Sequence, residues 1–165
     1  MDEIGMIRHL ARYVDNHRFP FQMANTFIYA WECDYWAMDL HGITREFEIK
    51  ISRSDFFADA KKSKHRLHGD HGANYFYYVV PQYLIQPGEV DKKYGLLYID
   101  KTGCVDLIRR PIRLHDRVFD QWRHLATKLH FRYQSLWREK YIDGEITLDQ
   151  YLEGKLTSQI NNDGQ

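Results

Sequence analysis

The segment from Arg45 to Ser52 alternates charged and apolar residues, and this alternation constrains the fold more than any other feature of the sequence. A period of two is the pattern of a β-strand whose two faces meet different surroundings. The apolar face carries Phe47, Ile49 and Ile51, and the polar face carries Glu46, Glu48 and Lys50. Two carboxylates and a lysine on one strand face are costly to arrange unless a cation or a phosphate binds there. The segment therefore predicts a ligand site on a β-sheet.

Hydrophobic periodicity and turn residues divide the rest of the chain into helices and strands. Helices are predicted over residues 4–17, 55–62 and about 114–140. Strands are predicted over residues 24–31, 33–41, 44–52, 73–80, 94–99 and 105–108. The strand over residues 73–80 is almost continuously apolar, which favours a central position in the sheet. This order predicts an α/β fold with an αβββαβ core, a mixed sheet and a long C-terminal helix.

Length and composition bound the class of protein. A chain of 165 residues favours one domain, which we place over residues 1–140, with a short helix and a frayed tail over residues 141–165. The sequence has no run of 18 uncharged apolar residues, so we expect no membrane segment. Cys33 and Cys104 lack the spacing of a zinc site, and two thiols without a disulfide framework favour a reducing, cytoplasmic location.

The net charge of zero conceals an uneven distribution of charge. Residues 61–140 hold 16 Lys and Arg against 8 Asp and Glu, whereas residues 1–60 hold 6 against 10. The end of the predicted second helix and the loop after it form a basic segment, with the cations Lys61, Lys62, Lys64 and Arg66. We expect this loop to contact nucleic-acid phosphates, and an ordinary charged surface loop is the alternative.

The polar residues of the third strand suit phosphodiester hydrolysis. That reaction needs an activated water and relief of negative charge, and Mg²⁺ held by carboxylates can supply both. Glu48 and Lys50 are two residues apart and so face the same side, where the lysine can orient the water or help to deprotonate it. The register between the second and third strands decides which upstream aspartate lies beside Glu48 and Lys50. A two-residue loop pairs Asp39 with Glu46, and a three-residue loop pairs Asp34 with Lys50; the apolar pattern mildly favours Asp39.

The string from Glu46 to Asp59 resembles the PD-(D/E)XK nuclease superfamily, and within it the MmcB-like DNA-repair proteins and related phage proteins. In those proteins a Glu-x-Lys strand runs into Ser-x-x-Asp-Phe-x-x-Asp, and the likeness extends over about residues 30–110. The resemblance implies a restriction-endonuclease-like core. It also implies that Asp34, Glu48 and Lys50 are catalytic and that Asp34 and Glu48 bind the metal, with Asp39 as the alternative ligand.

The function implied by this resemblance is a Mg²⁺- or Mn²⁺-dependent nuclease. It would hydrolyse DNA phosphodiester bonds in DNA repair, recombination or phage DNA processing. A catalytically inactive DNA-binding module of the same fold is one alternative, and action on RNA is another. Because many members of the superfamily are dimers, a homodimer is a candidate assembly.

Simpler explanations exist for each candidate residue. Glu48 and Lys50 could form an ion pair on a solvent-exposed sheet face. If they are catalytic, we expect Glu48→Ala to abolish cleavage and leave the fold intact, since a carboxylate on an exposed sheet face contributes little to stability. Glu46 is expected either to be solvated or to support the site from behind its ligands, and Asp59 is expected on the outer face of the second helix. The spacing of His65, His68 and His71 could suggest zinc, but the glycines within this segment break the helix that the spacing would need.

Overall fold

The computed structural model describes residues 1–17, 19–59, 62, 65 and 71–141, with the backbone alone at residues 16, 137 and 139–141. The chain divides into two compact units, Met1–Asp120 and Gln121–Gln165. All of the described strands and the first two helices lie in the first unit, and the long helix lies in the second. The predicted short helix after residue 147 falls outside the described residues.

The first unit is built on a mixed six-stranded sheet. Its strands are β1 Phe21–Thr26, β2 Cys33–Met38, β3 Thr44–Ile49, β4 Tyr75–Pro81, β5 Gly95–Ile99 and β6 Val105–Arg109. They lie side by side in chain order. The pairs β1–β2, β2–β3 and β5–β6 are antiparallel, and β3–β4 and β4–β5 are parallel. The predicted α/β class, the mixed sheet and the central position of β4 are confirmed.

The helices are α1 Glu3–Asn16, α2 Arg53–Asp59 and α3 Trp122–Tyr141, and a 3₁₀ turn covers Pro87–Glu89. The Asp2 side chain accepts a hydrogen bond from the Gly5 amide at 2.9 Å and caps α1. The Ser52 hydroxyl accepts one from the Asp55 amide at 3.2 Å at the start of α2. The observed order confirms an αβββαβ core followed by a strand pair and a C-terminal helix. No helix in the described parts of the chain has the length and apolar character needed to span a membrane.

The long helix begins at Trp122, so the predicted start near residue 114 is wrong. The segment before it forms its backbone hydrogen bonds with other elements. The Leu114 amide donates to the Asn74 carbonyl, and the Phe119 amide donates to the Gly42 carbonyl. The Asn74 side chain also donates to the carbonyls of His115 and Arg117. Because these groups are occupied, the segment cannot form the hydrogen bonds of a helix.

Two apolar layers cover the two faces of the sheet. On one face α1 packs Met6, Leu10 and Val14 against Phe47 and Ile49 of β3 and their neighbours. On the other face Phe56 of α2 packs against a second set of buried side chains, which includes Phe76, Tyr78, Val80, Leu96 and Tyr98. The polar residues of β3 point to this second face, and α2 covers them. The candidate site therefore lies between the sheet and α2.

Candidate functional site

The register of β2 against β3 brings Asp34 next to Glu48. Tyr35 pairs with Phe47 and Trp36 pairs with Glu46, so one further step along the ladder places Asp34 opposite Glu48. Five residues connect the strands, because Met38 pairs with Thr44. The predicted loops of two and three residues are therefore both too short. The observed register puts the Asp34 and Glu48 side chains on one face of the sheet.

Asp39 belongs to the turn between β2 and β3. Its Oδ1 accepts hydrogen bonds from the amides of His41 at 2.9 Å and Ile43 at 3.1 Å, and its Oδ2 lies 3.3 Å from the Arg45 guanidinium. These contacts stabilise a five-residue connection in which Gly42 has a positive φ of 76°. Asp39 thus has a local structural role, and the geometry favours Asp34 as the carboxylate that accompanies Glu48.

The Lys50 ammonium lies at the centre of a carboxylate cluster. Its Nζ donates to Glu48 Oε1 at 2.7 Å and lies 3.9 Å from Asp34 Oδ2. On the side of α2, the same Nζ lies 3.8 Å from Asp55 Oδ2 and 3.8 Å from Asp59 Oδ1. The fold therefore brings together the three residues predicted as catalytic, and it adds two carboxylates from the helix.

The polar face of β3 is buried, which contradicts the expectation of a solvent-exposed sheet face. Glu46, Glu48 and Lys50 are 0%, 2% and 5% exposed. Glu46 accepts a hydrogen bond from the Trp31 indole N–H at 2.9 Å, so of its two expected placements the solvated one is wrong. Tyr78 of β4 pairs beside Glu48 and helps to exclude water from it. Charges in such surroundings interact more strongly than charges on a surface.

The cluster opens to solvent on the side of Asp34 and Asp55. The Asp34 side chain is 24% exposed and the Asp55 side chain is 50% exposed. Asp34 Oδ2 accepts a hydrogen bond from the Ile49 amide at 2.8 Å, which fixes this carboxylate of β2 against the end of β3. A ligand that approaches from solvent would meet Asp34 before it reaches the buried Glu48.

Asp59 is the residue of the cluster that sequence reasoning misplaced. It was expected on the outer face of the helix, but its side chain is fully buried. Its Oδ2 accepts hydrogen bonds from Tyr78 Oη at 3.0 Å and contacts His65 Nε2 at 2.9 Å, and its Oδ1 lies 2.9 Å from Lys62 Nζ. The available signal was its spacing from Phe56, because residues three apart share a helix face and Phe56 is apolar.

The predicted nucleic-acid contacts lie mostly outside the described residues. Lys61, Lys64 and Arg66 fall there, as does His68 of the histidine pattern. Lys62 is described, and its exposed side chain reaches the Asp59 carboxylate. His65 is described too, and it joins Asp59 to the Tyr94 hydroxyl, which lies 3.1 Å from its Nδ1. Lys62 and His65 thus help to hold the carboxylate cluster.

Burial and charge act in opposite directions on the pKa of Lys50. Desolvation lowers this pKa, but the nearby carboxylates of Glu48, Asp59 and Asp34 together raise it above its ordinary value. The side chain is therefore an ammonium at neutral pH, which suits a hydrogen-bond donor rather than a base. Burial, followed by the charge of Asp59, raises the pKa of Tyr78 far above its ordinary value, so the tyrosine remains a neutral donor to that carboxylate.

The carboxylates around Lys50 are candidate ligands for a divalent cation. Among the described residues, no group of three or more His, Cys, Asp or Glu side chains has the arrangement of a metal site. Mg²⁺ differs from most metals because it keeps several waters and often takes only one or two carboxylates from the protein. Asp34 and Glu48 provide two such carboxylates, each with an oxygen within 3.9 Å of Lys50 Nζ. The residues present fit Mg²⁺ or Mn²⁺ held by two carboxylates and water.

Comparisons with known proteins bear on the fold alone. No family model matches the sequence, and no curated protein matches it. Among solved structures, the chain is similar to the SPO1766 protein of unknown function from Silicibacter pomeroyi, with a TM-score of 0.63 and 20% sequence identity. The match covers 85% of this chain and 92% of that one. It supports the α/β architecture described above.

Proposed function

We propose that this chain is a metal-dependent nuclease of the PD-(D/E)XK type that hydrolyses DNA phosphodiester bonds. The observation that carries the proposal is the convergence of Asp34, Glu48 and Lys50 at the end of β3. Lys50 Nζ lies 2.7 Å from a Glu48 oxygen and 3.9 Å from an Asp34 oxygen. The αβββαβ order and the mixed sheet support a restriction-endonuclease-like core.

Each residue has a distinct role in this proposal. Asp34 and Glu48 would hold Mg²⁺ or Mn²⁺, which lowers the pKa of a bound water and offsets negative charge on the phosphodiester. The Lys50 ammonium donates hydrogen bonds to the attacking water and to a phosphate oxygen. In this role Lys50 orients the attacking water and offsets negative charge on the phosphate. The buried face beneath α2 limits competing water.

The test is cleavage of labelled single-stranded, duplex, flap and branched DNA with Mg²⁺ or Mn²⁺. Asp34→Asn and Asp39→Asn form a matched pair, since each removes one carboxylate charge at nearly constant volume. We expect Asp34→Asn to lower the cleavage rate by about 100-fold or more, and Asp39→Asn to leave the rate within about threefold, once both variants are shown to fold.

Several outcomes would contradict the proposal. Loss of cleavage in Asp39→Asn with normal cleavage in Asp34→Asn would move the site to the turn. DNA that is bound but never cut by the wild-type protein would favour a binding module without hydrolase activity. If the protein cleaves RNA and not DNA in a parallel assay, the proposed substrate is wrong and the proposed catalytic residues stand.

A further inference from the structure

We propose that Asp59 is a positioning residue that accepts the Lys50 ammonium when the Glu48 carboxylate binds a divalent cation. The inference deepens the proposed function and rests on it, because it concerns the same carboxylates. It assigns a purpose to a fully buried aspartate that the roles of Asp34, Glu48 and Lys50 leave unexplained.

The need for a second acceptor follows from the contacts of Lys50. Its Nζ donates directly to Glu48 Oε1 at 2.7 Å, in surroundings where both side chains are almost completely buried. The inference assigns Glu48 Oε1, the oxygen that Lys50 contacts, to the cation, and the ammonium and the cation then compete for that oxygen. When Glu48 turns to a cation, a buried ammonium without another acceptor loses a charge-assisted hydrogen bond, and this loss weakens binding of the cation.

Asp59 is placed to receive that ammonium. Its Oδ1 lies 3.8 Å from Lys50 Nζ, so a small rotation of the lysine side chain closes the gap to hydrogen-bond distance. The same Oδ1 lies 2.9 Å from Nζ of the exposed Lys62, and a carboxylate oxygen has a second lone pair for the Lys50 ammonium. Its Oδ2 is held by Tyr78 and His65 at 3.0 Å and 2.9 Å, which fixes the orientation of the carboxylate. An acceptor that is already oriented costs little entropy when the lysine arrives.

Asp55 lies at the same distance from Lys50 but is a weaker candidate. Its Oδ2 is 3.8 Å from Nζ, yet its side chain is 50% exposed. Water screens an ion pair at such a position, and exposed pairs contribute little. Asp59 is fully buried, so its attraction for the ammonium is stronger. The two aspartates therefore form a matched comparison of equal charge and equal distance but different burial.

The experiment measures Mn²⁺ affinity by electron paramagnetic resonance, without DNA and without cleavage. We expect Asp59→Asn to weaken Mn²⁺ binding by about tenfold or more, the size of one lost charge-assisted hydrogen bond. Asp55→Asn should weaken it by less, and Asp39→Asn, in the turn, should leave it unchanged. Equal affinity for wild type and a folded Asp59→Asn variant would overturn the inference.

A Lys50→Met background separates the acceptor role from simple loss of negative charge. If Asp59 acts through the ammonium, Asp59→Asn should have little effect on Mn²⁺ affinity once Lys50 is methionine. An equal loss in both backgrounds would mean that Asp59 acts only by its charge, and the inference would be wrong.

A measurement on the wild-type protein decides the matter even if Asp59→Asn fails to fold. A buried, hydrogen-bonded ammonium exchanges protons slowly enough for ¹H–¹⁵N spectra of lysine side chains, and Lys50→Met identifies its signal by loss. Addition of Mg²⁺ should shift the Lys50 signal and keep it visible. A signal that is unchanged, or that disappears into exchange with water, would refute transfer to Asp59.

Failure of the inference and failure of the proposed function give different results. A wild-type protein that binds Mn²⁺ and cuts DNA, with no effect of Asp59→Asn on affinity, refutes the inference alone. A protein that binds Mn²⁺ in an Asp59-dependent manner but cuts no nucleic acid refutes the hydrolase function and supports the inference. A wild-type protein that binds no divalent cation refutes both.

Discussion

Removal of the Lys50 charge is predicted to destabilise the fold more than removal of the Glu48 charge. Lys50 Nζ lies within 3.9 Å of four carboxylates, of which Glu48 and Asp59 are buried. Lys50→Met removes the cation between them and leaves negative charges close together in low dielectric. Breaking a buried ion pair from one side costs about 3–5 kcal/mol, and we expect Lys50→Met to lie in that range. That is a large part of the total stability of about 5–15 kcal/mol for a domain.

Glu48→Gln removes one charge but leaves Lys50 with three other carboxylates. Its expected cost is therefore the smaller value of one charged hydrogen bond, about 1.5–3 kcal/mol. The truncation Glu48→Ala adds a cavity to this loss, so the expectation of an intact and unaffected fold, which assumed a solvent-exposed face, is replaced by measurable destabilisation. The change in the free energy of unfolding is measured by urea titration, with circular dichroism as the signal.

The double variant Glu48→Met with Lys50→Met supplies the control. Replacing both partners of a buried pair by apolar groups is often neutral or stabilising, so the double variant should be more stable than Lys50→Met alone. With the single variant Glu48→Met completing the cycle, the coupling energy isolates the pair from its surroundings. A Lys50→Met variant that loses less than about 1 kcal/mol would refute the reasoning, since such a value is typical of an exposed pair.

Two further predictions concern stability. Lys50, Tyr78 and Tyr94 have pKa values above their ordinary values, so the fold favours their protonated forms. Stability should be complete below about pH 10 and decline as the pH rises further, because the unfolded chain releases these protons first; melting temperatures that stay constant from pH 8 to pH 12 would contradict this. Arg109→Lys should cost about 2–3 kcal/mol in urea titrations, since the guanidinium donates to the carbonyls of Pro87, Val90, Asp91 and Tyr94 and a lysine cannot span them. An unchanged midpoint would show that these contacts contribute nothing.

The part of the site that lies on one strand could be predicted from the sequence. Alternation over residues 45–52 placed Glu48 and Lys50 on the same face, because successive side chains of any β-strand point to opposite sides. The order of helices and strands was accessible for a similar reason, since hydrophobic periodicity and turn residues are local properties. The start of α3 could not be predicted in this way. The segment before it forms hydrogen bonds with Asn74 and Gly42, which are distant in the sequence.

Contacts between distant segments determined everything else about the site. The choice of Asp34 over Asp39 depended on a five-residue connection and its register, which the apolar pattern alone did not distinguish. The burial of Glu46 and Glu48 depended on the position of α2 over that face and of β4 beside it. Asp59 joined the cluster for the same reason. Side-chain direction along a strand is fixed by local backbone geometry, whereas burial and the partners of a charge are fixed only when the elements pack together.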